Sequence, residues 1–142
     1  MAKIKKKKTA PPVVRKENSY RHNPAHRNKM AGKTQWAASI SISTEESIWK
    51  NGIQKTWFSE ANTVVFGLHK ISKKLAYLDS NNRLNFARFK SDSQLEWHGW
   101  PANPKERLED IPPVSVIDSW VNSGFTTRCR AEKVRKLQKC SI

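Results

Sequence analysis

The sequence predicts a small α+β domain, in which a small antiparallel sheet is packed with amphipathic helices, a helical hairpin ends the chain and a disordered basic arm precedes it. Three observations predict this. Charge is segregated: residues 1–33 carry 11 Lys and Arg against Glu17 alone, residues 128–142 carry six against Glu132, and the body between holds ten of each sign. The formal charge of +15 therefore divides into +10, 0 and +5, the pattern of a neutral globular unit with polyelectrolyte ends. Within the body, apolar residues recur at helical spacing near both ends and in β-branched or alternating runs in the middle.

Residues 1–33 read as the arm and residues 34–142 as one domain. Lys5, Lys6, Lys7 and Lys8 run together, Pro11 and Pro12 follow, and the remainder mixes Arg, Lys, Asn and His. So little apolar surface cannot offset the entropy of ordering the chain, so the arm is expected to be disordered when free. Tyr20 is its one aromatic residue, and Arg21, His22, His26 and Arg27 lie close to it, a setting suited to stacking on a nucleic-acid base.

Order is expected from about residue 35. The Ile/Ser alternation at Ser39, Ile40, Ser41 and Ile42 suits a short strand with one buried face. Ser43 and Glu46 have capping-box spacing and predict a helix over 44–58, with Ile48, Trp49, Ile53 and Trp57 on one half and Lys50, Asn51, Gln54 and Lys55 on the other. Gly52 weakens it. The middle of the chain predicts antiparallel strands over 63–68, 74–79 and 84–90. With Asn81 and Asn82 as a two-residue loop, Tyr77 falls opposite Phe86, Ala76 opposite Ala87 and Leu75 opposite Arg88.

The segment 97–104 is expected to be irregular, because Gly99, Pro101 and Pro104 interrupt it. Pro112 and Pro113 then open a helix that stops at Gly124, with Val114, Val116, Ile117, Trp120 and Val121 on its apolar arc. A last helix, capped by Thr126 or Thr127, is expected to run to about residue 138. Cys129, Val134, Leu137 and Cys140 fall together on it, Arg130 and Lys133 intrude, and Arg128, Arg135, Lys136 and Lys139 face away. A DNA-reading helix-turn-helix fits poorly: the position four before the turn glycine is Trp120, and later core positions hold Arg130 and Lys133. A helical hairpin with a charged outer face is the expectation.

No apolar run approaches the ~18 residues of a membrane span, and no apolar segment follows the Lys-rich start, so a soluble, cytoplasmic protein is expected. Cys129 and Cys140 read as reduced thiols. Nucleophile elbow, His-Glu-x-x-His and phosphate-binding glycine loop are all missing from the sequence, and His22 and His26 lack further ligands. Neither catalysis, nor a cofactor, nor a metal is expected.

The expected function is non-enzymatic binding of nucleic acid, or of a ribonucleoprotein, through phosphate contacts. Lys5, Lys6, Lys7, Lys8, Arg15, Lys16, Tyr20, Arg21 and Arg27 at one end, and Arg128, Arg130, Arg135, Lys136 and Lys139 at the other, are the candidate contacts. Trp97, His98 and Trp100 form the densest aromatic window and are candidates for base stacking or for anchoring a partner. The alternative is an inhibitor, immunity protein or antitoxin-type module that blocks an acidic protein partner through an exposed Trp surface.

Overall fold

The computed structural model describes residues 19–28, 32–59, 63–68, 76–79, 82–92, 96–139 and 142, with backbone alone for 76–79, 82 and 83. Lys5, Lys6, Lys7, Lys8, Arg15 and Lys16, and with them most of the predicted arm, lie outside the described residues.

The fold is α+β, built on a four-stranded sheet. Its strands are β1 (Ser19–Tyr20), β2 (Val64–Leu68), β5 (Phe86–Ser91) and β6 (Glu96–Pro101), in the order β1-β6-β5-β2. β5 pairs antiparallel with both neighbours, Arg88 lying opposite Phe66 and Trp100, and Phe89 opposite Val65 and Gly99. The sheet is mixed rather than purely antiparallel, because β1 lies parallel to β6, Tyr20 opposite Trp97. Part of the segment assigned to the arm thus forms a sheet edge, and residues 19–28 belong with the domain. Their buried and half-buried side chains supply the contacts that a charge count does not reveal.

The segment expected to be irregular is instead the internal strand β6, whose burial alternates along Glu96–Pro101. Gly99 leaves the pairing intact, and Pro101 sits at the last strand position, where its missing N–H is tolerated. The predicted hairpin register also differs. β3 (Ala76–Asp79) pairs with the short β4 (Asn82–Leu84), placing Tyr77 opposite Arg83 and Ala76 opposite Leu84. The physical cause is Asn85. Its side chain accepts from the Ile142 N–H (3.0 Å) and donates to the Ile142 carbonyl (2.7 Å). This clamp interrupts the run between β4 and β5, so Phe86 and Ala87 pair with Leu68 and Gly67 of β2 instead.

No strand forms over 39–42. Ser41 caps helix α1 (Ile42–Lys55), its hydroxyl accepting from the Thr44 N–H at 3.1 Å, two residues before the predicted cap. Ile48, Trp49, Gly52 and Ile53 are buried against the sheet. The two backbones come close here: a Cβ on Gly52 would stand 2.4 Å from the Phe66 carbonyl oxygen, and one on Gly67 would stand 2.9 Å from the Ile48 carbonyl oxygen. Gly52 is therefore a packing requirement as well as a helix weakness.

On the opposite sheet face, Phe86 meets Trp120 of α2 (Val114–Asn122) at 5.6 Å, and Trp57 meets the same indole edge-on at 5.6 Å. Residues 123–127 lead to α3 (Arg128–Arg135), which is shorter than predicted. All three described α-helices close with paired 6→1 and 5→2 backbone hydrogen bonds, and the position needing a left-handed residue holds Thr56, Gly124 and Leu137 in turn. Only the middle one is glycine, which is why that helix end alone was legible. No described helix is long and apolar enough to cross a membrane.

Replacing Gly52 by Ala adds about 1 kcal/mol of helix propensity but forces a methyl group into backbone, so a net loss of roughly 1–3 kcal/mol is expected in chemical denaturation. A raised midpoint would show that α1 can slide off β2. Trp120 is fully buried and its indole N–H has no partner among the described residues. Trp120→Ala should cost about 3–5 kcal/mol. An unchanged midpoint and slope would remove α2 from the core.

Candidate nucleic-acid interface

α3 carries the basic face, and its placement follows from three residues. Thr127 caps it by accepting from the Arg130 N–H at 3.2 Å, and Ala131 and Val134 are buried. This turns Arg130, Lys133 and Lys136 outward, all exposed. The buried pair differs from the apolar arc predicted: Cys129 is an exposed free thiol, Leu137 is 39% exposed, and Cys140 lies outside the described residues. With α3 ending at Arg135, the left-handed turn at Leu137 takes that residue off the helical projection.

The six cations of this segment are not equivalent. Arg128 is bound to Asp118 at 2.8 Å and Arg135 to Glu132 at 3.1 Å, both at the surface. Arg130, Lys133, Lys136 and Lys139 have no acidic partner among the described residues and keep their charge available. Lys133, read from the sequence only as an intrusion into the apolar arc, joins the outward set.

The N-terminal candidates separate in the same way. Arg21 is exposed and loosely paired with Glu96 at 3.3 Å. Tyr20 and Arg27 instead converge on Glu45, a fully buried residue of α1. The Tyr20 hydroxyl donates to Glu45 Oε1, and Arg27 donates to Oε2 through Nη2 (2.9 Å) and Nε (3.3 Å). The Tyr20 ring packs against Trp49 (5.5 Å, tilted) and Phe89 (5.7 Å, edge-on), and Arg27 sits over Trp36 at 5.9 Å. Burial pushes both the Tyr20 hydroxyl and the Glu45 carboxyl above their ordinary pKa values, although Arg27 works against the shift. One signal for this site stood in the sequence: Glu45 falls in the middle of the apolar arc defined by Ile48, Trp49 and Ile53.

The aromatic window divides too. Trp97 is 2% exposed and packs against Trp49 at 6.2 Å, which leaves it unable to stack on a base. Trp100 is half-buried, with the His26 imidazole stacked on it at 5.5 Å and the Arg88 guanidinium over its ring at 5.5 Å. Its indole N–H points to Asp110 at 3.4 Å. His98 lies at the surface, with Nδ1 3.2 Å from the Arg21 carbonyl and Nε2 3.4 Å from Asp92. The ligand atoms of Asp92, Glu96 and His98 lie within 4.8 Å of one another, but Glu96 faces Arg21 and Asp92 accepts from the Glu96 N–H. Together with Arg21, the cluster is a surface network of polar contacts that links the ends of β1 and β5 to β6.

Comparison of the chain with protein-family models, with curated proteins and with solved structures found no match.

The raised pKa of Glu45 has a definite sign in stability. The folded state holds the proton more tightly than the unfolded chain, so this group's contribution is fully present below the ordinary carboxyl pKa. It is lost as pH rises through the folded value. Glu45→Gln should therefore flatten the decline of stability with pH across that window, as read from denaturation midpoints. If the wild-type curve instead climbs more steeply than the variant's, Arg27 outweighs burial and the assignment of cause is wrong.

Proposed function

We propose that this is a non-enzymatic nucleic-acid-binding protein, acting in the cytoplasm, that holds its partner chiefly by phosphate contacts from its two basic ends. The observation that carries the reading is the charge distribution: +10 and +5 flank a body with no net charge, and the C-terminal segment has four exposed cations without an acidic partner among the described residues. A neutral body contributes no general attraction, so affinity rests on the ends. Contacts of this kind act on RNA, DNA or a ribonucleoprotein alike, because phosphates carry no sequence. Of the candidate aromatic contacts, Trp97 and Tyr20 serve packing, which weakens the alternative of an inhibitor presenting a Trp surface to an acidic protein.

The test is the salt dependence of binding. Each phosphate neutralised contributes about −0.9 to the slope of log K against log salt on duplex DNA, and about −0.7 on a single strand. Changing Lys5, Lys6, Lys7 and Lys8 to Ser should make the duplex slope shallower by up to roughly 3–4. Changing Arg130, Lys133, Lys136 and Lys139 to Ser should do the same by a similar amount, whereas changing Arg128 and Arg135, already neutralised by Asp118 and Glu132, should do less. Weak binding by the parent protein at low salt, or an unchanged slope in both four-residue variants, would overturn the reading.

A further inference from the structure

A second site lies on the sheet face opposite α1, where one charged side chain is held without completing its hydrogen bonds. Arg88 stands in the middle of β5, between Phe66 and Trp100, so both neighbouring strands fix its backbone. Its side chain is 11% exposed. Asp110 Oδ1 is 4.0 Å from Nε and Glu109 Oε2 is 3.8 Å from Nη1, distances that supply charge balance but exceed hydrogen-bond reach. Nε is buried without a hydrogen-bond partner among the described residues. Asp110 is held at this distance by the Asn103 N–H on Oδ2 (2.9 Å) and the Trp100 indole on Oδ1 (3.4 Å). Trp100 braces the guanidinium from one side.

Arg88 lines a cleft of about 320 Å³, near the lower end of small-ligand sites (about 300–1,000 Å³). Val64, Phe66, Ile111 and Pro113 give it apolar walls, Ser59 adds a hydroxyl, and Glu109 stands at the mouth, 63% exposed. Leu108 and Val114, adjoining Glu109 and Pro113 in the chain, are 68% and 52% exposed and extend apolar surface next to the lining segment.

We propose that this cleft binds an apolar monocarboxylate, about the size of one leucine-like residue, with Arg88 as the carboxylate's partner. A guanidinium presents a fork of donors that matches a carboxylate in two parallel hydrogen bonds, and here a fork is held in place with its bonds unmade. The carboxylate of Glu109 already leans towards it from the solvent side and marks the position a ligand's carboxylate takes after Glu109 swings outward. Charge favours a monoanion over a dianion: Asp110 is shared between Arg88 and Arg107, so once Glu109 swings outward about one positive charge is left to balance, and a second negative charge has no partner. The apolar walls take the stem. A free carboxylic acid and the terminal residue of a peptide share this chemistry.

The experiment titrates the full chain, without nucleic acid, by calorimetry and by NMR of the Trp indole N–H signals. The probes are N-acetyl-leucine, N-acetyl-leucine amide, a tetrapeptide ending in leucine, and inorganic phosphate. N-acetyl-leucine should bind saturably, and its amide at least about tenfold more weakly, the loss of one charge-assisted contact. Arg88→Lys should weaken the acid about tenfold by removing the fork while keeping the charge. Glu109→Gln changes an exposed residue, leaves the fold intact and should tighten binding about threefold by removing the internal competitor. Tighter binding of the tetrapeptide than of N-acetyl-leucine identifies a chain terminus as the source, and the reverse order a free acid. Equal affinity for acid and amide, equal affinity for phosphate, no saturable binding, or indifference to both substitutions would overturn the proposal. Because no nucleic acid is present, none of these outcomes bears on the salt-slope test.

Discussion

The carboxylate of Glu45 is the interaction on which the arrangement depends. An acid buried in α1 is costly unless it is paired and hydrogen-bonded, and both partners come from residues 19–28: the Tyr20 hydroxyl and the Arg27 guanidinium. Satisfying Glu45 therefore docks the N-terminal segment. Docked, it adds β1 in parallel to β6 and covers an edge that would otherwise expose unpaired backbone. It also carries His26 onto the face of Trp100, and Trp100 supports Arg88. One buried acid thus organises a sheet edge and, two contacts further on, the cleft on the far face.

A second buried acid governs that far face. Asp110, fully buried, receives the Asn103 N–H and the Trp100 indole while Arg88 and Arg107 approach to 4.0 Å. Arg107 also reaches the Gly32 carbonyl at 3.0 Å and the Thr34 hydroxyl at 3.3 Å, which ties the segment before α1 to the segment before α2. Burial pushes the Asp110 carboxyl above its ordinary pKa, as it does for Glu45. The body's neutrality conceals these structural charges: several of its ions fix chain segments, whereas four of the six cations of the C-terminal segment have no acidic partner among the described residues.

That division has a functional logic. Cations committed to buried acids are poorly placed to neutralise phosphate, since releasing them would leave a buried charge uncompensated. Arg27 and Arg107 belong to this class by geometry. Arg130, Lys133, Lys136 and Lys139 do not, and their lack of acidic partners makes them available at little cost in stability. Arg88 stands between the classes, buried and balanced by charge yet short of hydrogen bonds.

Local sequence determined much of the fold. Both amphipathic helices around Trp49 and Trp120, the strand at 64–68 and the stop at Gly124 were legible, because each depends on periodicity or on the one glycine that accepts a left-handed turn. The segregation of charge, and with it the basic face of the last helix, was legible in the same way. Residues 19–28 were not, because their order comes from partners distant in the chain: Glu45 for Tyr20 and Arg27, and Trp97 for the edge strand. Nor was β6, whose Gly99 and Pro101 read locally as breakers: Gly99 is held opposite Phe89 of β5, and Pro101 lies beyond the reach of β1, where no ladder bond needs its N–H. The strand register turned on Asn85 and Ile142, 57 positions apart, and the cleft on Arg88, which in sequence is one cation in an alternating strand. Sequence by itself decided which segments are amphipathic and where net charge lies, since both are sums over near neighbours. Tertiary structure alone decided which charges are spent on burial and which remain free, since pairing depends on distances that only the folded chain brings about.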